Sequence, residues 1–178
     1  GLGGFLLKVA DIVCRVYLTV IRGTPALVQL LIMYFIILSS PDISKTMVAV
    51  VTFGINSGAY VAEIFRSGIL SIDVGQMEAG RSLGLSYIDT MTQIIMPQAI
   101  KNCLPALVNE IIALLKETSI CGYIALAELT RGGDIIRGVT FDALLPLIVV
   151  ALVYLVIVMF FTWIMSLLER RLRESDIR

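Results

Sequence analysis

Three long stretches of this chain carry no charged side chain: Gly23 to Pro41, Thr46 to Ala62 and Ala143 to Leu168. A bilayer core takes a helix of about 20 predominantly apolar residues, with a range of roughly 17–25, and all three stretches meet that length. Charged residues make up 16% of the chain and apolar ones 58%, against about 25% charged in a soluble domain. The charge is also segregated between the stretches rather than spread through them. The fold class that follows is all-α, a polytopic transmembrane helical bundle.

Several functions are excluded at once. The net charge is zero and Lys and Arg form no long basic run, so nucleic acid is not an expected partner. Cys14, Cys103 and Cys121 lie far apart and form no CxxC pair; they read as inert residues rather than disulfide or metal sites. The chain has no histidine, which removes the commonest metal ligand and general base together. No metal site and no catalytic residue is expected.

Residues 5–22 place Lys8, Asp11, Arg15 and Arg22 among apolar residues at three- to four-residue intervals, the pattern of an amphipathic helix approaching the membrane surface. Gly23, Thr24 and Pro25 break it, and proline suits the first turn of a new helix. The expected spans are 25–40, 45–66, 97–117 and 141–168, in a single transmembrane domain covering 1–178. Thr118 to Leu129 is expected to re-enter or turn at the membrane, and Arg131 to Asp134 to be a loop. Lys8, Arg15, Arg22, Arg66, Arg81 and Lys101 fall on one side with the basic tail Arg170, Arg171, Arg173 and Arg178. Lys45, Arg131 and Arg137 fall on the other. The positive-inside rule places the N-terminal helix, the 67–97 loop and the tail in the cytoplasm. Gly1 to Leu7 is too short for a signal peptide's apolar region and flanks.

The cytoplasmic loop reads Gln76-Met77-Glu78-Ala79-Gly80-Arg81-Ser82-Leu83-Gly84, then nine residues, then Ile94-Ile95-Met96-Pro97. This resembles the EAA loop of bacterial importer permeases: Glu-Ala-Ala, three residues, Gly, nine residues, Ile, one residue, Leu-Pro. Glu78, Ala79, Gly84, Ile94 and Pro97 fall in register, while Gly80 replaces the second alanine and Met96 the leucine. Glu78 to Leu83 can form a short helix, Gly84 can end it in a left-handed turn, and Tyr87 to Thr92 can start another. Such a protruding knob suits a partner that grips it and converts its own motion into rigid-body motion of the spans. Arg22-Gly-Thr-Pro-Ala-Leu-Val-Gln29 resembles the RGTPxLVQ segment of the polar amino acid permeases, the histidine, glutamine, arginine and opine uptake group. Gly58 to Ile69, Asn109-Glu110 and Leu115 to Ser119 resemble later segments of the same group.

The resemblance implies the type I ABC importer permease fold, with five spans where four are counted here. The missing first helix would precede Gly1. It also implies a coupling role toward an ATPase for Glu78, Ala79, Gly80, Gly84 and Pro97. No Gly-x-x-x-x-Gly-Lys-Ser/Thr occurs, so ATP and Mg are expected on a partner ATPase and no cofactor on this chain. The expected partners are a dimer of ABC ATPase subunits, a second permease chain (identical or related), an extracytoplasmic substrate-binding protein, the amino acid cargo and the lipid bilayer. The expected location is the bacterial cytoplasmic membrane, and the chain is a transporter subunit rather than an enzyme. The same architecture with another small solute is one rival reading. An ATP-independent channel is another, and it leaves the EAA register unexplained.

An ionisable residue inside a span costs about 2.5–3.5 kcal/mol at the helix centre on insertion scales, and is usually kept where it faces a partner or a watery cavity. Glu63, Glu110 and Lys116 stand out, with Asn56, Tyr60 and Asn109 as neutral company. Asn56, Tyr60 and Glu63 share one helix face by spacing, as do Asn109 and Lys116. Tyr60, Glu63, Glu110, Lys116 and Ser119 are the candidate substrate residues. Glu63 or Glu110 would accept from an amino acid's ammonium, and Lys116 or Ser119 would donate to its carboxylate. Against this stands a structural reading: Glu63 with Arg66, three residues on, as a local ion pair, and Glu110 with Lys116 or a partner subunit.

Overall fold

The structure is a computed structural model that describes residues 2–174. Gly1 and the end of the basic tail, 175–178 with Arg178, lie outside the described residues. Among the described residues the secondary structure is entirely helical, without a strand. The helices are α1 (Leu2–Gly23), α2 (Ala26–Ile32), α3 (Lys45–Leu70), α4 (Val74–Ser82), α5 (Tyr87–Thr90), α6 (Met96–Glu117), α7 (Leu129–Thr140) and α8 (Leu144–Glu174). They form two compact units: Gly1–Tyr60 with Leu114–Val156, and Val61–Ala113 with Ile157–Arg178.

In the first unit α1 and the α2 segment meet at a bend of 108°. Pro25 has no N–H to continue the α1 ladder, so it takes the N-cap position of α2 in an extended conformation. A sharp bend orphans carbonyls at the end of the first helix, and Gln29 answers them. Its Nε2 donates to the carbonyls of Ile21 at 2.8 Å and Thr24 at 3.1 Å, and to Thr24 Oγ1 at 2.8 Å. Its Oε1 accepts from Asn56 Nδ2 of α3 at 2.9 Å. Tyr17 of α1 donates to the Ile55 carbonyl at 2.6 Å, which ties the elbow to α3 a second time.

After Ile32 the helix widens into a π-type turn, Met33–Ile37, and stops at Leu38 before Ser39, Ser40 and Pro41. At 1.5 Å per residue, 26–37 is roughly 18 Å long, short of the ~30 Å bilayer core. The 25–40 stretch therefore reaches membrane length only together with bent α1. Lys45–Leu70 and Leu144–Leu167 are each long and apolar enough to cross alone, and the bent pair would make a third span. α6, whose 22 residues cover the expected 97–117 span, runs unbroken through Pro105. Lys101, Asn102, Asn109 and Glu110 lower its hydropathy, and it is not among those spans.

The core of this unit joins Leu30 of α2, Val48, Ala49 and Phe53 of α3, and Cys121 and Ile124 of the 3₁₀ stretch Thr118–Ile124. That stretch turns back through Ala125 in the left-handed region (φ 54°). Residues 131–134 are not a loop, as expected from Arg-Gly-Gly-Asp, but the first turns of α7. Glu128 caps that helix, accepting from the N–H groups of Thr130 and Arg131 at 2.6 Å each, and it also takes the Tyr154 hydroxyl at 3.5 Å. Gly133 allows a close approach to α8, because a Cβ there would stand 2.6 Å from Val150 Cγ2. Cap and packing together offset the poor helix propensity of paired glycines.

In the second unit the end of α3 packs on the first half of α6. Gly68 sits against Cys103 and Ala99, with no room for a Cβ beside Cys103 Sγ, and the Ala99 carbonyl would lie 3.1 Å away. Asn102 donates to Ser71 Oγ at 2.9 Å beside this crossing. Gly68→Val is expected to destabilise the detergent-solubilised protein by about 1–3 kcal/mol, the range for overpacking. Cys103→Ala added to Gly68→Val should recover part of that loss, read as the midpoint of thermal unfolding. An unchanged midpoint for Gly68→Val would refute the close crossing.

Candidate functional site

The segment 73–90 of the second unit is a helix–turn–helix in which both ends of α4 and the start of α5 are capped by its own residues. Asp73 takes the N-cap of α4 and accepts from the Gly75 N–H at 2.6 Å. At the other end Gly84 adopts φ +86°. Its N–H donates to the Arg81 carbonyl at 3.1 Å and the Leu85 N–H to the Gly80 carbonyl at 3.2 Å, the paired bonds of a Schellman motif. Ser86 then caps α5, accepting from the Asp89 N–H at 3.1 Å and donating to Asp89 Oδ2 at 2.5 Å. The π-type turn Met91–Ile95 passes the chain into α6 at Met96. Each of these bonds is made within the segment itself, so its turn conformation is set locally.

Of the residues expected to couple, Glu78, Ala79, Gly84 and Pro97 are exposed and Gly80 is buried. Sequence reasoning missed the apolar tip around them. Val74, Leu83, Tyr87 and Ile88 are 71%, 82%, 58% and 69% exposed, in a segment otherwise rich in polar side chains and glycine. Large apolar side chains left exposed on an otherwise polar segment are candidates for an interaction surface. The signal was present in Leu83-Gly-Leu-Ser-Tyr-Ile88, where apolar residues flank the turn on both sides.

The candidate substrate residues divide between the units: Tyr60, Lys116 and Ser119 belong to the first, Glu63 and Glu110 to the second. On α3 the polar face read from spacing is partly spent on the fold. Asn56 is buried and bonded to Gln29, and the Arg22 guanidinium lies over the Tyr60 ring, 5.7 Å from its centroid. Glu63 is held by Arg66, whose Nε donates to both carboxylate oxygens at 3.0 Å and whose Nη2 also contacts Oε1. That is the local pair weighed against a substrate role. Glu110 is different: it is half-buried in α6, and among the described residues nothing pairs with or donates to its carboxylate. Lys116 is exposed in the last turn of α6, where a cation complements the helix dipole. Ser119 is half-buried in the 3₁₀ stretch that follows.

In the first unit a cleft of about 550 Å³ runs between the first half of α3 and the 3₁₀ stretch, with Gly54, Ser57, Gly58, Thr118, Cys121 and Glu128 on its walls. A second cleft of about 470 Å³, more polar, lies among Tyr34, Leu38, Ser39, Ser40, Pro41 and Lys45. Among the described residues no group of three or more Cys, Asp and Glu stands close enough to hold a metal ion.

Helices long and apolar enough to cross a bilayer, with a capped helix–turn–helix between them, fit a membrane-embedded subunit. The chain matches the family described as "binding-protein-dependent transport system inner membrane component" over residues 2–174, and it belongs to that family. It is 43% identical to the arginine transport system permease protein ArtQ of Bacillus subtilis, over 90% of this chain and 74% of that one. It is likewise 43% identical to the glutamine transport system permease protein GlnP of Escherichia coli K12, over 93% and 77%. Among solved structures it resembles an amino acid ABC transporter crystallised with histidines, at 47% identity and a TM-score of 0.85, over 92% of this chain and 77% of that one. The fold is also that of the MetNI methionine ABC transporter in inward-facing conformations, with a TM-score of 0.73 at 17% identity over 94% and 76% of the two chains. The type I importer permease fold expected from the EAA register is therefore the fold of this chain.

Proposed function

We propose that this chain is the permease subunit of an importer that carries polar amino acids across the bacterial cytoplasmic membrane, driven by ATP hydrolysed on a separate subunit. The observation that carries the coupling part is the 73–90 knob, whose turn is closed by its own residues and is flanked by exposed Leu83, Tyr87 and Ile88. ATP and Mg reside on a dimer of ATPase subunits, each receiving one knob in a groove. Leu83, Tyr87 and Ile88 supply the contact area, while Glu78 and Ala79 line the exposed side of α4 beside them. Closure of the ATPase dimer draws two permease chains together at the knobs, and the spans rock between outward and inward access. A donor protein delivers the cargo from outside, with the cleft at Ser39–Lys45 as its contact on this chain.

The amino acid cargo is supported by the relatives that carry arginine and glutamine in their names and by the carboxylate of Glu110, which nothing among the described residues pairs with. A half-buried carboxylate favours a cationic partner, and an α-ammonium group is the partner an arriving amino acid brings.

The docking role is tested by giving the knob charge at its apolar tip. Leu83→Asp with Ile88→Asp is expected to release the ATPase during co-purification and to lower uptake about a hundredfold, as loss of two interface anchors of roughly 1–2 kcal/mol each requires. Unchanged co-purification would place the ATPase contact elsewhere.

A further inference from the structure

Position 80 is where this chain departs from the Glu-Ala-Ala pattern, and the structure supplies a reason. Gly80 is buried on α4, facing Thr90 at the end of α5 and Ile94 in the turn that follows. A Cβ added there would stand 2.5 Å from Thr90 Cγ2, 3.0 Å from Thr90 Oγ1 and 3.1 Å from Ile94 Cδ1. Thr90 itself is fully buried. Its hydroxyl donates to the Ser86 carbonyl at 2.9 Å, which fixes its rotamer and therefore where its methyl points. The Gly80 carbonyl, in turn, is the acceptor that closes the turn at Leu85. One close contact thus sets both how near α4 lies to α5 and whether the turn between them closes.

We infer that Gly80 and Thr90 form a volume-matched pair, and that Thr90 is a positioning residue for coupling. It rests on the reading of this segment as the ATPase-coupling knob. The methyl that a second alanine would place on α4 is here carried by Thr90, on the opposite side of the same contact. Neither residue reaches the partner. Together they set the spacing at which Leu83, Tyr87 and Ile88 are presented to it.

The test uses the permease co-purified with its ATPase and binding protein, with three variants and two readouts. Gly80→Ala overfills the contact. It is expected to lower protection of the Leu85 N–H against hydrogen exchange about tenfold, within the range for overpacking, and to lower substrate carried per ATP hydrolysed by a similar factor. Thr90→Ser removes the methyl, keeps the hydroxyl bond to Ser86 and leaves the contact underfilled, so it should lower both readouts, though less than Gly80→Ala does. The two changes together should restore protection and coupling that Gly80→Ala alone removes, a rescue that general destabilisation cannot produce. Parent-like protection and coupling in Gly80→Ala, or a failure of Thr90→Ser to rescue it, would overturn the pairing. The exchange readout needs no transport. Altered and rescued protection with unaltered coupling would therefore keep the contact and refute the positioning role. A parent complex that carries nothing in response to ATP would instead refute the importer reading beneath it.

Discussion

Gly84→Val is expected to abolish ATP-driven uptake, while Gly84→Asn leaves most of it. The reason is conformation and not room: nothing lies within 4 Å of where a Cβ at position 84 would be, yet φ there is +86°. A left-handed residue costs an ordinary side chain about 1–2 kcal/mol, and β-branched residues avoid the region most strongly, whereas asparagine visits it readily. Valine would force the turn to reopen, breaking the bonds from the Gly84 and Leu85 N–H groups and swinging Tyr87 and Ile88 away from Leu83. Uptake should therefore fall in the order Gly, Asn, Ala, Val at position 84, measured in liposomes at equal amounts of inserted protein. An order following side-chain volume, with Asn below Ala, would contradict the turn geometry.

Glu110→Gln is expected to raise the KM for uptake by roughly a hundredfold, with little change in the amount of folded complex. The substitution preserves shape and removes charge, and a lost pairing with a buried cationic group costs about 2–5 kcal/mol. Because nothing among the described residues depends on the Glu110 carboxylate, the fold should tolerate glutamine. The Glu63→Gln change provides the contrast. Its carboxylate already serves Arg66, so it should alter stability more than apparent affinity. Equal KM values for the parent and Glu110→Gln would remove Glu110 from the cargo site.

What the sequence alone could convey followed from periodicity and local chemistry. Charge-free windows reveal apolar helices because the bilayer penalty acts residue by residue, and the EAA register located the knob down to the glycine in its turn. Long-range contacts stayed hidden. The bend at Pro25 was legible as a break, but its angle depends on Gln29, which reaches back to Ile21 and across to Asn56. The same bonds removed Asn56 from the expected pathway face. Arg131–Asp134 read as a loop because two glycines lower helix propensity. The Glu128 cap was adjacent in sequence, but the Val150 packing that also favours helix was not. The matching of Gly80 to Thr90 spans a turn, and no single-residue propensity encodes it. For the cargo site the limit is different: the pairing of Glu63 with Arg66 was readable from spacing, whereas the absence of a partner for Glu110 among the described residues requires knowing every neighbour.

The most direct measurement of the central claim is uptake by the permease reconstituted in liposomes with its ATPase and binding protein, across a panel of labelled amino acids, with and without ATP. One or a few polar amino acids should accumulate only when ATP is hydrolysed, and that accumulation should vanish in Gly84→Val. Accumulation independent of ATP, or undiminished in Gly84→Val, would contradict that claim.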